Sequence, residues 1–152
     1  VITEINSLIA QYGLLLDEDR LEEWVELFTE DSQYKVVTRE NKIMNLPAAV
    51  IWCDNKNMIR DRIHSYRHVN EHNLHWDRHV IGPLRINPIS TSEWQVQASY
   101  SLFQTNLEGR SILFSVGMYD FKIIEQNNIL KINYLEVVSD TASFETLLAT
   151  PI

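Results

Sequence analysis

Cysteine is nearly missing from this sequence: 152 residues hold one, Cys53. A single thiol permits no internal disulfide and no thiolate cluster, and it fits a reducing compartment. Basic residues are scarce as well. Thirteen Lys and Arg stand against twenty-one Asp and Glu, for a formal net charge of -8. That balance argues against nucleic acid, whose phosphates need a basic face, and against an anionic membrane surface. Long apolar runs are absent too. The longest, Ala48 to Cys53, is six residues, and a membrane-spanning helix needs about 20. No basic stretch leads into an apolar one at the start, so no signal peptide is expected. The chain also lacks a G-x-S-x-G elbow, a phosphate loop and a dinucleotide fingerprint. The expectation is a soluble, cytoplasmic protein without nucleic-acid or membrane partners.

What is present suits one folded domain over residues 1–152. The composition is 45% hydrophobic and 22% charged, which is globular and not disordered. Ile5, Leu8, Ile9, Tyr12, Leu15 and Leu16 recur at helical spacing and predict a helix over Thr3–Leu16. Acidic residues 17–19 suit a break and a new helix start. A second, short helix follows to about Thr29, with Leu21, Trp24, Val25 and Phe28 on one face. Gln33–Thr38 is β-branched and reads as a strand. Asn41–Ala49 is ambiguous, with Pro47 against a central strand. Asp54 or Asn55 can cap a third helix through about His68. Val69–Trp76 reads as a loop.

Strands dominate from Asp77 onward. Arg78–Asn87 is the first, with Gly82-Pro83 as a bulge or edge feature. Trp94–Asn106 alternates: Trp94, Val96, Ala98, Tyr100 and Leu102 face one way, and Gln95, Gln97, Ser99 and Ser101 the other. Leu107–Arg110 is a hairpin loop with Gly109 free to take positive φ. Ser111–Ile124 is apolar on both faces, which implies a phase switch near Gly117 or burial on both sides. Gln126–Asn128 turns the chain. Ile129–Val138 returns, with a second switch near Leu135. Helices first and then a long meander mean an α+β fold. Strands this long curve strongly. The expected architecture is a cone-shaped, strongly curved antiparallel sheet with about three N-terminal helices on its concave side.

Three constellations could carry chemistry. Asp61, His64 and His68 lie within one arc of a helix, and two histidines with a carboxylate are the ligand set of non-haem iron oxygenases. Arg60, Arg62 and Arg67 crowd the same segment and disfavour a dication, so the favoured reading is a polar helix flank. His72, His75 and His79 could complete a zinc site with His68, or sit in a solvated loop or at an interface. The third set is Asp31, Tyr12 and Tyr34 with a histidine of the third helix. In one cavity these groups could do general acid–base work; otherwise Asp31 is a turn or cap residue and the tyrosines are core. Cys53 beside Trp52 reads as a buried, inert thiol. No catalytic, cofactor-binding or metal residue is assigned.

Five segments, in order, carry a resemblance that runs nearly end to end. They are RLEEWVELFTEDSQYKVVTREN (Arg20 to Asn41), CDNKNMIRDRI (Cys53 to Ile63), DRHVIGPLRI (Asp77 to Ile86), SYSLFQTNLEGRSILFSVGMYDFKI (Ser99 to Ile123) and LKINYLEVVSDTASFETLLATPI (Leu130 to Ile152). Together they resemble the small (β) subunits of bacterial aromatic-ring-hydroxylating dioxygenases. Family members often have Tyr-Trp where Tyr34-Lys35 stands here, and they often end in an aromatic pair. The resemblance implies a cystatin-like cone fold related to nuclear transport factor 2 and scytalone dehydratase. It implies a hexamer of three large and three small subunits, the small ones forming a trimer. The large subunit would carry a Rieske 2Fe-2S cluster and a mononuclear iron, and the small one would act in structure without catalytic residues. A Rieske centre takes two Cys and two His, which one cysteine cannot supply. Function is then expected in the surfaces, chiefly the curved sheet and the C-terminal tail. The alternative is a stand-alone isomerase, dehydratase or cyclase of the same fold.

Overall fold

The structure, a computed structural model, describes residues 1–46, 49–69, 74–140 and 151–152. Helix α1 is Ile2–Asp17, and its predicted stripe is buried from Ile5 to Leu16. Asp19 takes a positive φ of 59° and leads into α2, Leu21–Val25. This helix stops short of the predicted Thr29, because Phe28 already belongs to strand β1, Phe28–Thr38. The Leu27 carbonyl accepts the Ile132 amide at 2.8 Å, and Phe28 aligns with Ile132. A distant strand thus captures residues whose local spacing looks helical.

The segment that sequence left ambiguous is partly a helix. Thr38 accepts a hydrogen bond from the Asn41 amide and caps α3, Arg39–Ile43, which buries no residue. Strand β2, Ile51–Cys53, pairs antiparallel with β1. Helix α4 is Lys56–Val69; of its two candidate caps, Asn55 accepts from the Met58 amide at 2.9 Å. The described residues therefore form four helices, of which α1, α2 and α4 contribute to the core.

The predicted strand Arg78–Asn87 is two strands, β3 at His75–Ile81 and β4 at Arg85–Pro88. Both flank β5, Glu93–Asn106, β4 on its first half and β3 on its second. His75 and Trp76 leave the expected loop because they pair with Asn106 and Thr105. Strand β6 is Ser111–Gln126 and β7 is Ile129–Ser139. Asn127 and Asn128 both take positive φ, the backbone that a two-residue I′ hairpin needs.

Seven strands make one curved, open sheet in the order β2-β1-β7-β6-β5-β3, with β4 beside β5. It is not wholly antiparallel: β1 runs parallel to β7. The phase switches also fall elsewhere than predicted. One register shift leaves Phe114 as the extra residue opposite Leu102 and Phe103, and another leaves Asn133 opposite Lys122 and Ile123. Gly117 instead permits a close approach. A Cβ there would lie 2.0 Å from the Val138 carbonyl oxygen and 3.0 Å from the Tyr100 ring. The inward faces of β1, β5, β6 and β7 and the three core helices enclose one hydrophobic cluster.

Candidate functional site

The interior of the cone is aromatic. Tyr12 comes from the apolar stripe of α1, Trp24 from α2, and Phe28 and Tyr34 from the inward side of β1. Tyr119 and Phe121 alternate inward on β6, because a strand sends every second side chain to one face. Ring centroids lie 4.9 Å apart for Trp24–Phe28, 5.4 Å for Tyr12–Tyr119 and 4.5 Å for the stacked pair Tyr100–Tyr119. At the centre sits Ile152, fully buried. Its amide donates to the Tyr34 hydroxyl at 3.0 Å, and the Tyr12 hydroxyl donates to its carbonyl oxygen. The tail's described end is therefore inside the molecule, not on the surface where the sequence suggested it; residues 141–150 lie outside the described residues.

Tyr12 and Tyr34 thus converge as the acid–base alternative required, but Asp31 does not join them. Asp31 lies three positions before Tyr34, and an odd separation along a strand puts two side chains on opposite faces. Asp31 is exposed and accepts from Thr29 Oγ1 at 2.9 Å and Asn133 Nδ2 at 3.1 Å. The histidines of α4 are exposed as well. Burial pushes the Tyr12 and Tyr119 phenols far above their ordinary range, and the neighbouring phenols add to it. Burial raises Tyr34 too, against the Ile152 amide and the Arg62 charge, which lower it. These hydroxyls stay protonated near neutral pH and can donate or accept hydrogen bonds, but they supply no base.

Asp61, His64 and His68 all lie on the exposed side of α4. The two imidazoles are 4.3 Å apart, edge to face. Among the described residues no three His, Cys, Asp or Glu are grouped to hold a metal. His72 lies outside the described residues. His75 Nε2 lies 3.1 Å from Asp77. His79 turns inward: its Nδ1 is 2.6 Å from Asp17 Oδ1, and its backbone amide donates to both carboxylate oxygens at 3.0 Å. Both side chains are buried, and among the described residues His79 Nε2 has no hydrogen-bond partner. Sequence reading missed this pair, since 62 positions separate its members. Desolvation raises the Cys53 thiol, in line with the inert role predicted for it. With one cysteine the chain has no donor set for a Rieske cluster.

The outer side of the sheet is the other notable region. Helix α3 is fixed there by Lys42 to Glu136 and by Arg39 to Asp140 at 3.3 Å. Lys35 is 3.6 Å from the same Glu136. Open depressions of about 420 and 380 Å³ flank the helix, lined in part by Met118 and Val138 on one side and by Leu46 and Trp52 on the other. Ile43, Met44, Leu46, Trp52 and Met118 are exposed, Trp52 by half. Further along the sheet Trp76, Val80 and Leu113 are also exposed. Single exposed hydrophobic residues are normal, but a run of them marks a contact surface.

Known proteins match this arrangement. Residues 1–136 match the SnoaL-like domain family. The chain is 38% identical over 149 residues to the anthranilate 1,2-dioxygenase small subunit of Burkholderia cepacia, covering 98% of this chain and 92% of that one. The chain belongs to the SnoaL-like dioxygenase small subunits. A β subunit of the terephthalate 1,2-dioxygenase terminal oxygenase of Comamonas is 27% identical over 98% of this chain and 97% of its own. The crystal structure of a β subunit from Novosphingobium aromaticivorans, assigned to the aromatic-ring-hydroxylating dioxygenases, superposes with a TM-score of 0.90. It is 37% identical and covers 99% of this chain and 95% of that one. In a SnoaL-like small subunit of this kind, the filled interior and the apolar outer side acquire a common explanation.

Proposed function

We propose that the chain is the structural small subunit of a multicomponent aromatic-ring-hydroxylating dioxygenase. It supports a large subunit that carries the Rieske 2Fe-2S cluster and the mononuclear iron. The assembly is a cytoplasmic hexamer of three large and three small subunits, acting in the catabolism of aromatic compounds, with no active site on this chain. The observation that carries this reading is the occupied cone. The cavity in which an enzyme of this fold would hold substrate is filled by Trp24, Tyr12, Tyr34 and Ile152. The buried Asp17–His79 pair is shut from solvent. The exposed residues around α3 and along the sheet supply surface for neighbours.

Turnover by the assembled complex tests it. Asp31→Asn and His64→Ala in the small chain should leave turnover per complex unchanged. Trp52→Glu or Met118→Glu should reduce co-purification with the large subunit, because a charge forced into an apolar interface is desolvated without a partner. Loss of turnover in Asp31→Asn with assembly intact would contradict a purely structural role.

A further inference from the structure

The outer face of the sheet carries opposite charges at its two ends. Toward the β5–β6 hairpin, Arg78 is exposed on β3 between the exposed Trp76 and Val80. Its neighbours across the sheet, Phe103 on β5 and Leu113 on β6, are exposed as well. Among the described residues the Arg78 guanidinium has no hydrogen bond or ion pair. At the other end Asp120 stands on β6, directly across from Glu136 on β7. Like charges placed opposite each other repel, and the nearby cations are taken. Lys35 and Lys42 go to Glu136, Arg39 goes to Asp140, and Arg85 stops at Gln97, two strands from Asp120. Among the described residues the Asp120 carboxylate accepts only from Gln95 Nε2, at 3.2 Å. Residues 47–48, 70–73 and 141–150 contain no Lys or Arg, so the chain has no further strong cation to offer it.

The open depression of about 420 Å³ beside α3 lies in front of Asp120. Gln97 and Ser99 add polar atoms to it, and Met118, Val138 and Ile43 add apolar wall. A carboxylate with an apolar wall suits an arginine, which packs its stem and points its fork at the acid. Arg78 of the same copy cannot be that arginine. It stands opposite Phe103, and Asp120 stands opposite Gln97. Those two positions are roughly 20 Å apart along β5, beyond the reach of one side chain. A closed ring of copies needs each subunit to present two different patches that fit each other, and the two ends of this face meet that need.

We propose that the outer sheet face is the contact between copies of this chain, with Arg78 of one copy entering the depression before Asp120 of the next. The apolar side chains around Arg78 then pack on Met118 and Val138 of that neighbour. The proposal rests on the trimeric assembly put forward above and names the contact that builds it.

Charge reversal tests it, read by sedimentation velocity on the full chain. Arg78→Asp and Asp120→Arg should each raise the concentration at which half the chain is trimeric by at least about tenfold. The double variant restores the pair with its signs exchanged and should return to within about threefold of the original. Both sites are on the outer face, so melting curves should show each variant folded; if a reversal does not fold, Asp120→Asn is read instead and should weaken the trimer. Where the chain is trimeric only beside its large subunit, the co-expressed complexes are compared on the same criteria. Single variants that trimerise like the original, or a double variant no better than the singles, overturn this contact and leave the trimer standing. An original chain that is monomeric both alone and with the large subunit overturns the trimer and the contact together.

Discussion

At the scale of the residue, the structure turns on a few side chains whose neighbours decide their roles. Gly117 is the clearest. Its missing Cβ leaves room for the Val138 carbonyl and the Tyr100 ring, and Gly117→Ala should destabilise the protein by about 3 kcal/mol, as overpacking does. Urea unfolding measures this, and an unchanged midpoint would show that β7 can move aside. Asp17 receives the His79 amide and lies against its ring, both buried. Asp17→Asn should cost about 1–3 kcal/mol in urea unfolding, since buried hydrogen bonds from the His79 amide and ring are disturbed. Tyr12 was legible as a core residue because helical spacing puts it on the stripe of α1. Asp31 was not legible as a surface residue, because its strand starts earlier than local pattern shows. The Asp17–His79 pair and the place of Ile152 were not legible at all: nothing local marks contacts made across 62 and 140 positions.

At the scale of the element, periodicity served where a segment is regular and failed where a partner intervenes. Strand β5 alternates cleanly, so its buried face could be named residue by residue. The end of α2 could not, because β7 pairs with residues that a helix would also accept. The bulges at Phe114 and Asn133 could be sensed as a change of phase, but the register that places them belongs to the neighbouring strand. Two predictions belong here. Asn128 sits at a φ of 63°, so Asn128→Val should cost about 1–2 kcal/mol while Asn128→Gly is tolerated; thermal melts separate the two. Arg67 ties α4 to Asp19 and Glu22, and Lys56 is bound to Glu26. Hydrogen bonds from these cations hold the Glu22 and Glu26 carboxyls below their usual range. Folded pKa values below the unfolded ones give stability that is complete above about pH 4.3 and lost as pH falls through the lower folded values. Melting temperature should therefore drop between about pH 5 and 3, and Arg67→Ala should flatten that drop. An unaltered slope in Arg67→Ala would remove the ion pair from the explanation.

At the scale of the whole molecule, helices followed by a long meander sufficed for an α+β cone. Composition and hydrophobic pattern do not show strand direction, so the parallel pairing of β1 with β7 was invisible. The likeness to dioxygenase small subunits was readable in five ordered segments, and the 38% identity with an anthranilate dioxygenase small subunit agrees with it. Ile43, Trp52 and Met118 are exposed, and no pattern in one chain names a partner for them. The most direct measurement is light scattering on the chain purified alone and after co-expression with a large subunit bearing the Rieske Cys and His pairs. The expected result is a trimer of the chain or a mixed hexamer of large and small subunits. A monomer in both preparations, with no large subunit bound, would contradict the structural role.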